Sequence, residues 1–306
     1  MMREDLRIRN MMVPEGAVDV VLDTDTYNEI DDQYALAYLL RSGEKLRTRA
    51  IYAAPFKKTG SDKTPAEGME LSYQEILHLL SLMGEKVDVF RGSEIYLPDE
   101  KTPVSSPAAL DLASRANDYS PENPLYVIAI GAITNVASAL LLNPRVAENT
   151  VVIWLGGHAR HFTDSVEFNL KQDIAAARVV FGSGVPLVQL PCRGVVSSFS
   201  ISKPELEHWF FGKNELADYL AKITVAHVEK RKPFPAWSKP LWDVTAVAWL
   251  LNEGNRFMRS RLVTAPLPSY DGYYTEVPDH PLIRYVYYIE RDALMSDLIE
   301  KLAKEA

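Results

Sequence analysis

The chain has one cysteine, Cys192, in 306 residues, so no internal disulfide can form and stability must come from a packed core. No apolar run approaches the roughly 18 residues that a membrane-spanning helix needs. No Ser/Gly-rich or low-complexity linker interrupts the sequence and no internal repeat is visible, so a single α/β domain over residues 1–306 is expected, although length alone suggests about two. An excess of positive charge is also missing: 33 Lys and Arg stand against 41 Asp and Glu, a net charge of −8. That balance excludes a surface built for the phosphate backbone of a nucleic acid. The first ten residues are charged rather than apolar, which shows no signal peptide and predicts a cytoplasmic location with no membrane partner.

What is present is concentrated early. VVLDTDTYNEIDDQYALAYLL packs Asp23, Asp25, Asp31 and Asp32 into ten residues at the end of an apolar run. Two carboxylates about 4 Å apart repel by roughly 4 kcal/mol at an effective dielectric near 20. That is a large share of a stability of about 5–15 kcal/mol, so a bound cation is expected. No Cys or His lies in the segment, and hard oxygen ligands of this kind favour Ca2+ or Mg2+. Ala17 to Leu22 is apolar at nearly every position, as a central parallel strand covered on both faces would be. Asn28 suits an N-cap with Asp31 three residues on, and Ala35, Leu36, Leu39 and Leu40 form an apolar helical face. The alternative is that Asp31 and Asp32 merely complement the helix dipole while Asp23 caps a turn.

Strand and helix patterns then alternate. Arg49 to Ala54, Val87 to Phe90, Leu125 to Ile130, Thr150 to Leu155 and Pro186 to Leu190 read as strands. Gly68 to Leu82, Pro107 to Asn117, Thr134 to Leu142 and Asp173 to Phe181 read as helices between them. Repeated β-α order predicts an open, mostly parallel sheet flanked by helices, with ligands at its carboxyl edge. Beyond about residue 200 the chain reads as mainly helical, with an edge hairpin between Tyr270 and Tyr288. Polar residues recur at the predicted strand tips. Gly131 follows one strand and exposes the carbonyl of Ile130, while Thr134 and Asn135 suit ordinary helix caps. VEFNLKQD sets Glu167, Asn169 and Asp173 near the strand ending WLGG, with Glu167 and Asn169 on one side and Phe168 on the other; a polar surface loop is the competing explanation. PLWDVTAVAWLL sets Asp243 beside Trp242 at a helix start, the usual place of an N-cap Asp and a core Trp.

Together, D-T-D-T-Y-N-E-I-D-D, I-G-A-I-T-N, E-F-N and W-D resemble the inosine–uridine nucleoside hydrolase family, from about Val18 to Leu251 and in the family's order. The resemblance implies that Asp25, Asp32, Asp243 and the main-chain carbonyl of Ile130 hold Ca2+. It implies that Asp31, Glu167 and Asn169 hold ribose hydroxyls, while Asp23 braces the metal loop. The implied activity is hydrolysis of the N-glycosidic bond of a ribonucleoside or related N-riboside, with Asp25 accepting the proton of a water. A homodimer or homotetramer is implied as well.

The departures bear on substrate choice. The metal loop is two residues longer than the family's D-x-D-P-G-x-D-D, so Tyr27 or Asn28 is expected in the pocket. The Gly-Asn that many members carry after the second strand is replaced by Ala54-Pro55-Phe56. Trp242 stands where one branch has a leaving-group His and a purine-preferring branch has a stacking aromatic. His161 falls where a polar sugar contact is expected. The strand-D-x-D start is also similar to Mg2+-dependent phosphatases of the haloacid-dehalogenase type, which would leave E-F-N and W-D unexplained. A non-catalytic ribose- or nucleoside-binding protein with the same pocket is the other alternative.

Overall fold

A computed structural model describes residues 2–231 and 234–304; of the expected span, residues 1, 232, 233, 305 and 306 lie outside the described residues. Eight strands form one sheet: β1 Val18–Thr24, β2 Leu46–Ala53, β3 Val89–Arg91, β4 Leu125–Ala129, β5 Thr150–Leu155, β6 Leu187–Leu190, β7 Met258–Thr264 and β8 Leu282–Ile289. Their order is β3-β2-β1-β4-β5-β6-β8-β7. All neighbours run parallel except β8 and β7. The mostly parallel open sheet read from the β-α alternation is therefore the fold.

Alternate side chains of the central strands feed two cores. Leu22, Ile128 and Ile153 join Leu36, Leu39 and Trp249 on one face. Val21, Val127 and Val152 join Tyr52, Trp154 and Phe181 on the other. Burial on both faces is why these strands read as unbroken apolar runs. After β1 the chain moves outward to β2 and β3, then returns to place β4 on the other side of β1. The order reverses between β1 and β4, and an open α/β sheet has its ligand crevice at such a point.

Local chemistry sets several boundaries differently from the sequence expectation. The helix expected from Gly68 spans Pro65–Met83, because Thr64 and Glu67 form a reciprocal capping box ahead of Pro65. Asn28 is not a cap: the next helix is Asp31–Leu40, with Ile30 at its N-cap and no side-chain cap bond. The region beyond residue 200 holds helices Lys203–Trp209, Glu215–Glu229, Val244–Leu250 and Arg291–Leu302, but also β7 and β8. The expected hairpin is thus displaced. Its edge strand is β7, whose Arg259 and Arg261 alternate with residues facing the protein, and β8 lies inside, against β6. Among the described residues, no helix is long and apolar enough to cross a membrane.

Candidate functional site

At the carboxyl edge beside the β1–β4 switch lies a cavity of about 520 Å³ lined by Asp25, Asn28, Asp31, Asp32, Ile130, Glu167, Asn169, Trp242 and Asp243, among others. Nine of the ten positions expected to act on metal or substrate therefore meet in one place. The tenth, His161, is not among the lining residues; its exposed ring packs on Phe162. The turn after β5 instead brings His158 inward, buried, with Nδ1 accepting from the Arg193 N–H at 3.4 Å. Tyr27 also points away from the cavity and is half exposed, leaving Asn28 as the inserted loop's uncharged contribution.

The acids grow from rigid parts of the fold. Asp25 follows β1 directly, Asp31 and Asp32 open the helix Asp31–Leu40, and Asp243 precedes the helix Val244–Leu250. All four are buried. One carboxylate oxygen from each of Asp31, Asp32 and Asp243 lies within 4.8 Å of the other two. Asp25 stands next to them, with Oδ2 buried and lacking any hydrogen-bond partner. Burial, reinforced by the neighbouring carboxylates, pushes Asp25 and Asp243 well above the usual carboxylate range and Asp32 up to about 7. Asp243 makes no side-chain cap bond, so helix capping does not account for it.

Asp23 is different. It lies outside the cavity lining, and its Oδ1 accepts from Asn135 Nδ2 at 2.7 Å. Asn135 Oδ1 accepts in turn from the Ser93 N–H at 2.8 Å, tying three strand ends together. Thr134 likewise donates to Asp173 Oδ2 at 2.7 Å. Neither residue caps its helix, whose N-cap is Ile133; both sit in the first turn and brace the sheet edge. Gly131 allows that edge to close, since a Cβ there would lie 3.0 Å from the Ala54 side chain and 3.2 Å from the Asp25 nitrogen.

Glu167 and Asn169 do not lie on a surface loop or on an alternating strand. Glu167 is the N-cap of a short helix, Phe168–Gln172. Its Oε1 accepts from the Asn169 N–H, and its Oε2 from the N–H groups of Leu170 and Gly157, each at 3.0 Å. Burial raises the Glu167 pKa, while those three donors favour its ionised form. Gly157 fits there because its φ is +78° and a Cβ would meet the Tyr274 hydroxyl. Asn169 Nδ2 donates to the carbonyls of Ile130 and Leu155, both at 3.0 Å. That use of the amide fixes its orientation.

One buried cation in this region drew no notice in the sequence. Lys239 lies on a short strand, Ser238–Pro240, paired antiparallel with Ser200–Ser202. Its Nζ is 2.6 Å from Glu29 Oε2, 3.4 Å from Asp31 Oδ1 and 3.8 Å from the centre of the Trp242 ring. Burial draws its pKa down, but Asp31 and Glu29 outweigh that and raise it. Of the four clustered aspartates, only Asp31 has an ion pair within the protein among the described residues. The signal was faint: a lone Lys in the aromatic and proline-rich FPAWSKPLWD, and the Glu of the two-residue-longer loop. Trp242 is half buried, donates from Nε1 to Ser197 Oγ at 2.8 Å, and faces the cavity.

The oxygen-only donor set, the unpartnered Asp25 Oδ2 and the excess of buried negative charge fit a hard divalent cation. Comparisons agree with this architecture. Residues 20–276 match the family model described as inosine-uridine preferring nucleoside hydrolase. A pyrimidine-specific ribonucleoside hydrolase, RihA, from Citrobacter koseri is 27% identical over 263 residues, covering 77% of this chain and 80% of the relative. A plant nucleoside hydrolase, PpNRh1, has a similar fold, with TM-score 0.75, 21% identity, and coverage of 95% of this chain and 99% of that one. The purine-preferring ribonucleoside hydrolase from Gardnerella vaginalis also shares the fold, with TM-score 0.75, 17% identity, and coverage of 93% and 98%. The chain belongs to the inosine-uridine preferring nucleoside hydrolase family and is a hydrolase that acts on N-glycosyl bonds.

Proposed function

We propose that this protein hydrolyses the N-glycosidic bond of a ribonucleoside or related N-riboside in a Ca2+-dependent reaction, releasing ribose and a free base. The observation that carries the metal dependence is the buried carboxylate cluster, with Asp25 Oδ2 lacking any partner. Asp25, Asp32, Asp243 and the Ile130 carbonyl would hold the ion. Asp31, already compensated by Lys239, is then left for the sugar. When bound, Ca2+ supplies a fixed positive charge that orients a water and the ribose diol and makes that water more acidic.

The chain's own groups do the rest. Cleaving the bond develops positive charge on the ribose, and hydrogen bonds to the sugar hydroxyls strengthen as it develops. Asn169 has committed its Nδ2 to two carbonyls, so its Oδ1 remains to accept from a sugar hydroxyl. Glu167 Oε1, with one main-chain donor, has a lone pair left for the same purpose. Asp25 accepts the proton of the attacking water. Asn28 lies where it can reach the bound sugar or base. Trp242 has one ring face taken by Lys239, so stacking on the leaving base falls to the other, a contact that favours purines. A phosphatase mechanism lacks its nucleophile: Asp23, the first Asp of D-x-D, is outside the cavity and bound to Asn135.

The test is ribose release from a panel of purine and pyrimidine nucleosides, with Ca2+ titrated back after chelation. Binding without turnover across the panel would favour a nucleoside-binding protein, and phosphate release from phosphomonoesters would revive the phosphatase. In the same assay Trp242→Ala is expected to lower purine turnover more than pyrimidine turnover; equal loss would remove stacking. A cytoplasmic homodimer or homotetramer completes this reading, and light scattering checks the assembly.

A further inference from the structure

Six acids line the cavity of a chain that is acidic overall, yet Lys58, Lys171, Arg193 and Arg231 line it too. Arg231 is accounted for, pairing with Glu29 at 3.5 Å. The other three are not: among the described residues, no carboxylate oxygen lies within 4.0 Å of a charged nitrogen of Lys58, Lys171 or Arg193. They come from three separate parts of the chain, the segment after β2, the helix Phe168–Gln172 and the turn after β6. All three reach solvent, Lys58 the least freely, since partial burial draws its pKa down.

Their close contacts are aromatic rings and main chain, with Glu29 and Asp25 acting on Lys58, and Glu167 on Lys171, only from beyond ion-pair distance. Lys58 Nζ lies 5.8 Å from the centre of the Phe56 ring, and Lys171 Nζ lies 5.7 Å from that of Phe168. The Lys57 N–H donates to Gln172 Oε1 at 2.7 Å, docking the Lys58 segment onto the helix that carries Lys171. Arg193 is anchored by its own main chain, which donates to His158 Nδ1 and accepts from the Ala159 N–H at 2.9 Å. A neutral nucleoside offers these cations hydrogen-bond acceptors but no charge to neutralise. An anion does: Arg binds a carboxylate or phosphate through two parallel hydrogen bonds, and Lys adds point charge.

We propose that the preferred substrate is an anionic N-riboside, carrying a phosphate or a carboxylate beyond the reacting bond, and that Lys58, Lys171 and Arg193 receive that anion at the mouth of the cavity. This rests on the hydrolase function proposed above. The acids of the floor take the metal and the sugar diol, and the mouth sorts substrates by charge.

The experiment compares kcat/KM for matched pairs in the presence of Ca2+: inosine against inosine 5′-monophosphate, and uridine against orotidine, its 6-carboxylate. At least one anionic member should be preferred, by about tenfold for each cation engaged, with the preference shrinking at high salt. Preference in the first pair alone identifies a phosphate, and in the second alone a carboxylate. Arg193→Met, Lys58→Met and Lys171→Met should each reduce that preference, mainly through KM for the anionic member. Lys86→Met, at an exposed lysine outside the cavity lining, should not. Equal or better turnover of the neutral member in both pairs would overturn the proposal while leaving the hydrolase function standing. No turnover of any of the four compounds would overturn both.

Discussion

The floor and the mouth of the cavity are made from different parts of the fold. Asp25, Asp31, Asp32, Asp243, Glu167 and Asn169 are each at most 5% exposed and grow from a strand end or a helix start. Lys58, Lys171 and Arg193 reach solvent, on segments steadied by rings and a few main-chain bonds. A third group of residues centres on Glu29, which pairs with Lys239 and Arg231 and lies 3.8 Å from the His227 ring nitrogen. Groups that must meet a reacting centre within a fraction of an ångström sit where backbone ladders fix them. Groups that select by charge act over longer distances and tolerate a looser support.

The largest effect should come from the floor. Asp25→Ala removes the expected metal ligand and proton acceptor together, so kcat/KM should fall by about 10³-fold or more while the fold is retained. Chelation of the wild type should abolish turnover and lower Tm together, because an ion bound only by the folded state stabilises it. Calorimetry that detects no Ca2+ binding at millimolar concentration would break the distinction between floor and mouth at its root.

Next is the group around Glu29. Lys239→Met leaves Glu29 and Asp31 without their buried cation and should cost about 3–5 kcal/mol in denaturant unfolding. Adding Glu29→Gln should restore part of that loss. If the single variant is as stable as wild type, the group is not one electrostatic unit.

Asn169→Ala should cost about 1–3 kcal/mol in transition-state stabilisation, seen as a roughly 10- to 100-fold drop in kcat, since the buried carbonyls of Ile130 and Leu155 lose their donor. A rise in KM alone would move Asn169 from the floor to the binding periphery.

The smallest effect is pH-dependent. Burial, together with Arg231 and Lys239, holds His227 down at about 4 despite the opposing pull of Glu29. The folded state therefore binds fewer protons than the unfolded state between about pH 4 and 6.5. Its stability is complete above that window and declines as pH falls through it. His227→Gln should flatten this limb by about 1–2 kcal/mol, after discounting for partial exposure. Thermal melts across the window would show it, and an unchanged slope would assign the acid loss elsewhere.

Legibility in the sequence followed the same division. Six of the eight sheet strands and the acid cluster could be read directly, because a parallel strand buried on both faces is written as an apolar run and its tip as sudden polarity. The hairpin of β7 and β8 was less clear, since one face of β7 is open and its basic residues break the run. At the site, the segment that chooses His158 over His161 is an irregular turn whose shape no periodicity encodes. Lys239 was missed because its partner Glu29 is 210 residues away. A single Lys between Ser and Pro has no local signature.

That distant pairing ties loop length to a residue elsewhere in the chain. The longer metal loop supplies Glu29, and Lys239 both answers its charge and backs the ring of Trp242. Losing Lys239 leaves the buried Asp31 without its cation and Glu29 with Arg231 alone, whereas losing Glu29 still leaves Lys239 its contact with Asp31, so the dependence runs one way: relatives that carry the longer loop and its Glu should keep a cation at the position of Lys239. The loop's extension would then presuppose the tryptophan's backing, and a survey of relatives could trace that order without any knowledge of their substrates.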